Sequence, residues 1–283
     1  MTFIILCTLI STDIKAQNDS AFMYFNQLIM SGDTNEALVE LERIIYVNED
    51  NSAQAIFNKG ILYKQQQEFI LAQKCFERVN FETLTDSQHY QFRYQAALMA
   101  YLAGNYSDAE AQILQIKYYL HDSSFYYQII PLYALNLIEM QRWDESKALL
   151  QNYIVFSYSN TKSEKKDSLF AVLNQIYNKK NIPKLLKVKK AQVMSAILPG
   201  LGQLYAGYFL ESLANFSFSL SSLALGGYAF YKKYYFTGYF VGLGLFQKFY
   251  FGGQKRTEIL VIKRNELKTR IFNNQVKSFI LSI

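Results

Sequence analysis

Two long apolar runs near the C-terminus constrain this chain more than any other feature. The first covers residues 208–231 and the second residues 234–251, and only Lys232 and Lys233 separate them. A helix rises about 1.5 Å per residue, so the first run is longer than the roughly 30 Å hydrocarbon core of a bilayer. The two runs predict a transmembrane helical hairpin. A buried helical hairpin within a soluble domain is the alternative.

Glycines and aromatic residues follow the same division of the chain. Ten of the 13 glycines lie between Gly200 and Gly253. Small residues let membrane helices approach closely, and Gly238 and Gly242 have the small-xxx-small spacing of a helix-packing face. Tyrosine and phenylalanine are dense at both ends of the second run, as in the aromatic belts of membrane proteins. The glycines therefore predict a face for close helix packing.

A glycine-rich segment precedes the first run and carries the sequence Pro-Gly-Leu-Gly-Gln-Leu-Tyr-Ala-Gly. It resembles the signature Pro-Gly-x-Gly-Gln-x-Tyr-x-Gly of a bacterial family of two-transmembrane-helix domains. Six residues match that signature: Pro199, Gly200, Gly202, Gln203, Tyr205 and Gly207. The resemblance covers residues 190–266 and implies a two-helix membrane domain over residues 191–253. One departure is Glu211-Ser212, where the family commonly has glycine.

The linker before this segment is basic. Residues 181–190 contain Pro183, which ends the preceding helix, and four lysines that suit anionic headgroups: Lys184, Lys187, Lys189 and Lys190. From Asn181 onward there are 14 Lys/Arg and 3 Asp/Glu, a net of +11, and the remainder is −5, which gives the total of +6. Such asymmetry predicts an anionic partner. The adjacent apolar runs favour membrane lipid over nucleic acid. Residues 254–283 are a basic tail with no predicted function.

Residues 17–180 predict helical repeats. Four alanines open the second helix of successive pairs, namely Ala37, Ala72, Ala109 and Ala148, at separations of 35, 37 and 39. This spacing resembles the roughly 34-residue period of tetratricopeptide repeats. The clearest unit has Gly60, Tyr63, Ala72 and Phe76 at that family's relative spacing, and a helix over residues 165–179 is the expected cap. The resemblance implies an all-α solenoid that binds a protein or peptide partner. A helical spacer is the alternative.

The N-terminus predicts export. Residues 1–16 contain an apolar run and end at the small Ala16, as a cleaved signal peptide does, although no Lys or Arg precedes the run. Cleavage places the repeats in the periplasm of a bacterial inner-membrane, multi-pass protein. The basic flanks of the hairpin favour the opposite orientation under the positive-inside rule. The export signal is local evidence, and we therefore expect a periplasmic repeat domain.

Catalytic motifs are missing from the sequence. The two histidines, His89 and His121, have no neighbouring metal-ligand or nucleophile pattern, and Gly-x-Gly at residues 200–202 lacks the context of a phosphate loop. We expect no enzymatic activity, cofactor or metal. The predicted function is a membrane-anchored scaffold that recruits protein partners at the bacterial envelope. The alternative is a structural subunit of an envelope transport or assembly complex that oligomerises through the glycine-rich hairpin.

Overall fold

A computed structural model describes residues 22–47, 49–158 and 163–283. Every regular element among these residues is a helix and none is a strand, so the all-α prediction is confirmed. The chain divides into two compact units, of which the first ends at Phe156 and the second begins at Ser157. The predicted signal peptide, residues 1–16, lies outside the described residues.

The first unit contains eight of the described α-helices. They are α1 (Met23–Ser31), α2 (Thr34–Val47), α3 (Glu49–Gln65), α4 (Phe69–Glu77), α5 (Asp86–Leu102), α6 (Tyr106–Tyr119), α7 (Ser123–Glu139) and α8 (Trp143–Ser157). A 3₁₀ turn, Phe81–Thr83, precedes α5. The N-cap of α5 is Thr85, which forms a capping box with Gln88. Helices that are neighbours in sequence pack against each other from α1 to α7.

One turn geometry recurs four times in this unit. Each turn has a residue in the left-handed region: Gly32, Gln67, Gly104 and Gln141, at φ between 61° and 83°. The amide of the next residue donates to the carbonyl five positions back, for example from Asn105 to Ala100 at 2.8 Å. This is the Schellman pattern of helix C-termini. The turns therefore recur every 35 to 37 residues.

The small residue that follows each turn corrects one sequence prediction. Ala37, Ala72 and Ala109 are fully buried, as expected. The fourth equivalent position is Ser146 rather than Ala148, because Ser146 makes the same amide bond to the residue four positions back and is fully buried. Ala148 is exposed. The separations are thus 72 − 37 = 35, 109 − 72 = 37 and 146 − 109 = 37.

Gly60 and Phe76 of the clearest predicted unit contact each other. A Cβ atom at Gly60 would lie 2.5 Å from Cζ of Phe76, so only glycine leaves room for this ring between α3 and α4. Phe76 is fully buried and makes edge-on contacts with Phe57 and Phe92. These rings form the core that joins α3, α4 and α5.

The second unit begins with α9 (Ser163–Ile176). The sequence predicts this helix as a cap of the repeats, whereas in the structure it is part of the second unit. Just after the helix, the ring of Tyr177 contacts that of Phe272 edge-on at 5.4 Å between centroids. The linker is held as well, since the Asn265 side chain donates to the carbonyl of Leu186 and accepts from its amide. Both bonds fix the linker against the last helix.

The remaining elements form the hairpin and its base. They are α10 (Val188–Ile197), α11 (Leu201–Tyr205), α12 (Phe209–Tyr231), α13 (Tyr235–Thr237), a π-helix (Gly238–Leu243) and α14 (Gly244–Ile280). The turn at Lys232 and Lys233 is where the sequence predicts it, with Lys233 at φ 61°. A helix end was expected near Gly253, but α14 continues to Ile280 and includes most of the predicted tail. Within the described part of the chain, no helix combines the length and apolarity needed to span a membrane.

Candidate functional site

The interior of the hairpin is lined by small residues. Along α12 and the facing π-helix the buried positions are Ser219, Ser222, Gly226, Ala229, Gly238 and Gly242. A Cβ atom at Gly226 would lie 3.1 Å from Cα of Gly242, and one at Gly238 would lie 2.9 Å from the Phe230 ring. Gly238 and Gly242 therefore pack inside their own chain.

The exterior of the hairpin is apolar. Its exposed large hydrophobic residues are Phe209, Leu210, Leu213, Phe218, Leu220, Leu223, Leu225, Tyr228, Phe230, Tyr231, Tyr234, Tyr235, Phe236, Tyr239, Phe240, Val241, Leu243, Leu245 and Phe251. Leu210 is 79% exposed and Phe236 is 77% exposed, whereas Ser219 is only 2% exposed. The hairpin thus buries small side chains between its helices and exposes large apolar and aromatic ones, together with Ser217 and Ser221. Soluble domains have the opposite arrangement.

The base of the hairpin is built on the predicted glycine motif. Gly200 caps α11 at φ 95°, and a Cβ atom there would lie 2.5 Å from the carbonyl oxygen of Ser212. Gly202 is buried between α10 and α14, where a Cβ atom would lie 2.6 Å from Cγ2 of Thr257. The hydroxyl groups of Ser195 and Thr257 lie 2.9 Å apart at this crossing. Both glycines are therefore required by close approach.

Gln203 joins three parts of the hairpin base. Its side chain is 1% exposed, and Nε2 donates to the carbonyl of Gly253 on α14 at 3.3 Å. In the orientation that satisfies its neighbours, the Asn215 amide accepts from Nε2 of Gln203 at 3.1 Å and from the Gly200 amide at 3.2 Å. The same Asn215 side chain then donates to the carbonyl of Phe249 at 3.0 Å. These bonds satisfy a buried polar cluster shared by α11, α12 and α14.

The other motif residues occupy the outer side of the base. Pro199 and Tyr205 are half-buried, and Tyr205 packs on the core formed by Ala191, Ala206, Leu260 and Val261. Gly207 is exposed and has φ 87°, which a residue with a side chain rarely adopts. The structure therefore brings all six motif residues to one end of the hairpin.

The four predicted headgroup lysines, Lys184, Lys187, Lys189 and Lys190, are all exposed. The side chain of Lys190 lies over the ring of Tyr205, with Nζ 5.3 Å from its centroid. Lys184 is held through its backbone, since its carbonyl accepts from Nζ of Lys268 at 3.1 Å. The linker thus presents its ammonium groups to the surroundings from a fixed backbone.

Sequence reasoning did not find the partners of the motif. Ser195, Asn215 and Thr257 carry the contacts described above, and Glu211 forms a two-point ion pair with Arg256 at 2.7 and 2.9 Å. The only sequence signal for them is a polar residue at an inward position of an otherwise apolar helix. That signal indicates which polar residue forms a buried contact, but it does not indicate which residue it contacts.

Groups that could hold a metal ion are not found among the described residues. His121 is exposed beside Asp86, and His89 lies against the Phe81 ring. Burial, together with nearby Arg93, lowers the pKa of His89, so the neutral form is favoured. Burial raises the pKa of the Cys75 thiol, which disfavours the nucleophilic thiolate.

Comparisons with protein-family models, with curated proteins and with solved structures give no match to the chain. The resemblances to the two-helix membrane family and to tetratricopeptide repeats therefore remain predictions. They rest on the six motif residues and on the spacing of the helix pairs.

Proposed function

We propose that this protein is a membrane-anchored helical-repeat adaptor, with a hairpin in the lipid bilayer and a first unit that binds a protein or peptide. The observation that carries the proposal is that the hairpin buries small side chains between its helices and exposes large apolar ones. Between membrane helices there is no hydrophobic driving force, so small residues and hydroxyl groups form the contacts while large apolar side chains face lipid. Gly226 and Gly242 inside, against Leu210 and Phe236 outside, follow that rule, and the buried Ser222 hydroxyl donates to the Phe218 carbonyl of its own helix.

Water is a poor solvent for this surface. The transfer of apolar surface from water to an apolar environment is favourable by about 25 cal/mol of free energy for each Å². Nineteen large hydrophobic side chains are exposed on this one hairpin. Soluble proteins normally expose such residues singly, and a larger exposed apolar surface marks a site of contact with protein or membrane. At about 1.5 Å per residue, the 23 residues of α12 extend about 34 Å, which is close to the thickness of the hydrocarbon core.

The adaptor role follows from the first unit. Four helix pairs with one recurring turn are consistent with a repeat solenoid, and such solenoids bind partners along an extended surface. The surface of α6 carries Tyr118 and Tyr119, both more than half exposed. We propose a bacterial inner-membrane location with the repeats in the periplasm, as the signal-like N-terminus suggests.

The alternative is a structural subunit of an envelope transport or assembly complex that oligomerises through the glycine-rich hairpin. Gly238 and Gly242 are buried against Gly226 and Phe230 of the same chain. A second copy would have to use other residues of the hairpin.

Membrane extraction of the full-length protein tests the proposal. We expect the protein to remain in the membrane pellet after alkaline carbonate and to need detergent for release. The variant L220D/L223D should be released, because each aspartate costs about 3 kcal/mol in a membrane helix. The matched variant V39D/Y46D, at exposed apolar positions of the first unit, should stay in the pellet. Wild-type protein in the carbonate supernatant would refute the membrane anchor.

Co-purification of full-length protein from crosslinked membranes tests the adaptor role. We expect protein crosslinks from the first unit at Tyr118 and Tyr119. Crosslinks confined to the hairpin would contradict the adaptor role and favour an assembly subunit instead.

A further inference from the structure

Successive positions along α14 contact different elements of the second unit. From its N-terminal side onward, Gly253 contacts Asn215 of α12, Thr257 contacts Ser195 of α10, and Asn265 binds Leu186 of the linker. The apolar hairpin therefore comes first, the glycine motif second and the basic linker third. Between Gly253 and Asn265 the helix rises about 18 Å.

Helix α10 changes character along its length. Its N-terminal end carries Lys187, Lys189 and Lys190, while Ile197 and Leu198 at the other end are 76% and 44% exposed. The apolar end lies beside the hairpin, since the Tyr250 hydroxyl donates to the carbonyl of Ala196 at 2.8 Å. Seven residues, about 10 Å, separate Lys190 from Ile197. A headgroup layer is about 5–8 Å thick, and lysine can extend its ammonium group toward it.

The lysines belong to a patch that includes a residue from α14. This basic patch consists of Lys190 and Arg264, which lie beside Tyr205 and Gly207, and of Lys187, which is exposed three residues before Lys190. Lys190 covers the Tyr205 ring, and the guanidinium of Arg264 would lie 3.9 Å from a Cβ atom at Gly207, two residues after Tyr205. Glycine at residue 207 thus leaves open space beside the guanidinium.

Acidic residues do not neutralise this patch. From Asn181 to the C-terminus the only acids are Glu211, Glu258 and Glu266. Arg256 holds Glu211 in a two-point ion pair, and Gln192 donates to Glu258 at 3.2 Å. Glu266 is exposed, and none of the ion pairs found in the described residues includes it, Lys187, Lys190 or Arg264. The patch therefore keeps its positive charge.

We infer that the basic patch binds anionic phospholipid headgroups, so that the membrane surface lies at the level of α10. The inference rests on the proposed function. It adds the class of lipid that is bound, the residues that bind it and the depth of the second unit in the membrane. Phosphate oxygens accept hydrogen bonds from Lys187, Lys190 and Arg264, and Tyr205 occupies the headgroup level that suits its amphipathic ring. Residues 238–251 then lie in the hydrocarbon and residues after 265 lie outside the bilayer.

Vesicle flotation of the full-length protein, diluted out of detergent, tests this inference. The probes are phosphatidylcholine vesicles with and without phosphatidylglycerol, and the readout is the lipid concentration for half-maximal flotation. Wild-type protein should float at a lower concentration with phosphatidylglycerol. In those vesicles K187Q/K190Q/R264Q should need about a hundredfold more lipid, since each charge near an anionic surface contributes about fivefold. Phosphatidylcholine binding should not change.

The matched control is K166Q/K179Q/K180Q, which removes the same charge from the same unit near α9. It should behave as wild type, and circular dichroism of both triple variants should show unchanged helicity. Equal flotation of wild type with both vesicles would overturn the inference while leaving the membrane anchor intact. Flotation with neither vesicle would refute the anchor itself. Binding of an oligonucleotide through the same three residues, without lipid selectivity, would assign the patch to nucleic acid and overturn the inference.

Discussion

Gly226 and Gly242 face each other across the hairpin with no side chain between them, and a Cβ atom at Gly226 would lie 3.1 Å from Cα of Gly242. This backbone contact sets the distance between α12 and the π-helix. It leaves no room for a side chain between the two helices at this level. A π-helix is uncommon, and here it carries both Gly238 and Gly242 on the inward face.

The neighbouring glycines of α12 provide the first prediction. Gly226→Leu should push the two helices apart and lower the stability of the hairpin by about 1–3 kcal/mol, as overpacking does. Gly227→Leu should have little effect, because nothing lies within 4 Å of a Cβ atom there. Thermal unfolding of full-length protein in mild detergent, followed by circular dichroism, measures both. Equal destabilisation by the two variants would show that the close approach of Gly226 to Gly242 does not determine the stability of the hairpin.

Gln203 provides the second prediction. Gln203→Met keeps the length of the side chain but removes the donor to Gly253 and the bond with Asn215. Loss of a buried hydrogen-bond partner costs about 1–3 kcal/mol. In the same unfolding experiment, Gln247→Met is the control, since Gln247 is exposed on α14. Gln203→Met and Asn215→Leu should be less destabilising together than the sum of the two, because they remove one shared cluster. Additive effects would contradict the network.

The motif shows how far the sequence predicts the hairpin base. The six residues Pro199 to Gly207 are a local pattern, and all of them lie where α10, α11, α12 and α14 meet. The contacts that hold the hairpin base together join residues that are distant in sequence. Ser195 and Thr257 are 62 residues apart, and Leu186 and Asn265 are 79 apart. Local periodicity cannot identify such pairs. The continuous α14 was missed for a related reason, since Gly252 and Gly253 normally weaken a helix, yet Gly253 is needed where Asn215 packs.

The small buried residue that follows the turn between α7 and α8 gives the third prediction. The position needs a small side chain rather than alanine in particular, and Ser146 fits because its hydroxyl donates to the carbonyl of Ala134 at 3.2 Å. The spacing of alanines alone therefore points to Ala148, which lies two residues after the equivalent position. Ser146→Leu should lower the unfolding free energy of the first unit by about 1–3 kcal/mol, and Ala148→Leu by less than about 0.5 kcal/mol. Trp143, the only tryptophan, reports the unfolding of that unit by fluorescence. A larger loss of stability with Ala148→Leu than with Ser146→Leu would contradict this assignment and make Ala148 the equivalent position.

The fourth prediction concerns Glu42, whose carboxylate accepts hydrogen bonds from Lys59 and from Arg78, the latter at 2.7 and 3.0 Å. Burial raises the pKa of Glu42, but the hydrogen bonds and charges of Lys59 and Arg78 outweigh burial and hold it below its ordinary value. A carboxyl whose pKa is lower in the folded protein stabilises the fold above its unfolded pKa of about 4.3. That stabilisation is lost as the pH falls through the folded pKa.

Urea unfolding of the full-length protein, followed by Trp143 fluorescence, tests this at neutral pH and at about pH 3. Glu42→Gln should lower the unfolding free energy at neutral pH, and the difference from wild type should shrink in acid, where wild-type Glu42 is protonated. Glu82→Gln is the matched control, because Glu82 is an exposed carboxyl outside the ion pairs of this unit. A difference between wild type and Glu42→Gln that stays constant with pH would mean that packing, and not the charge of the carboxylate, stabilises this contact between α2, α3 and the end of α4.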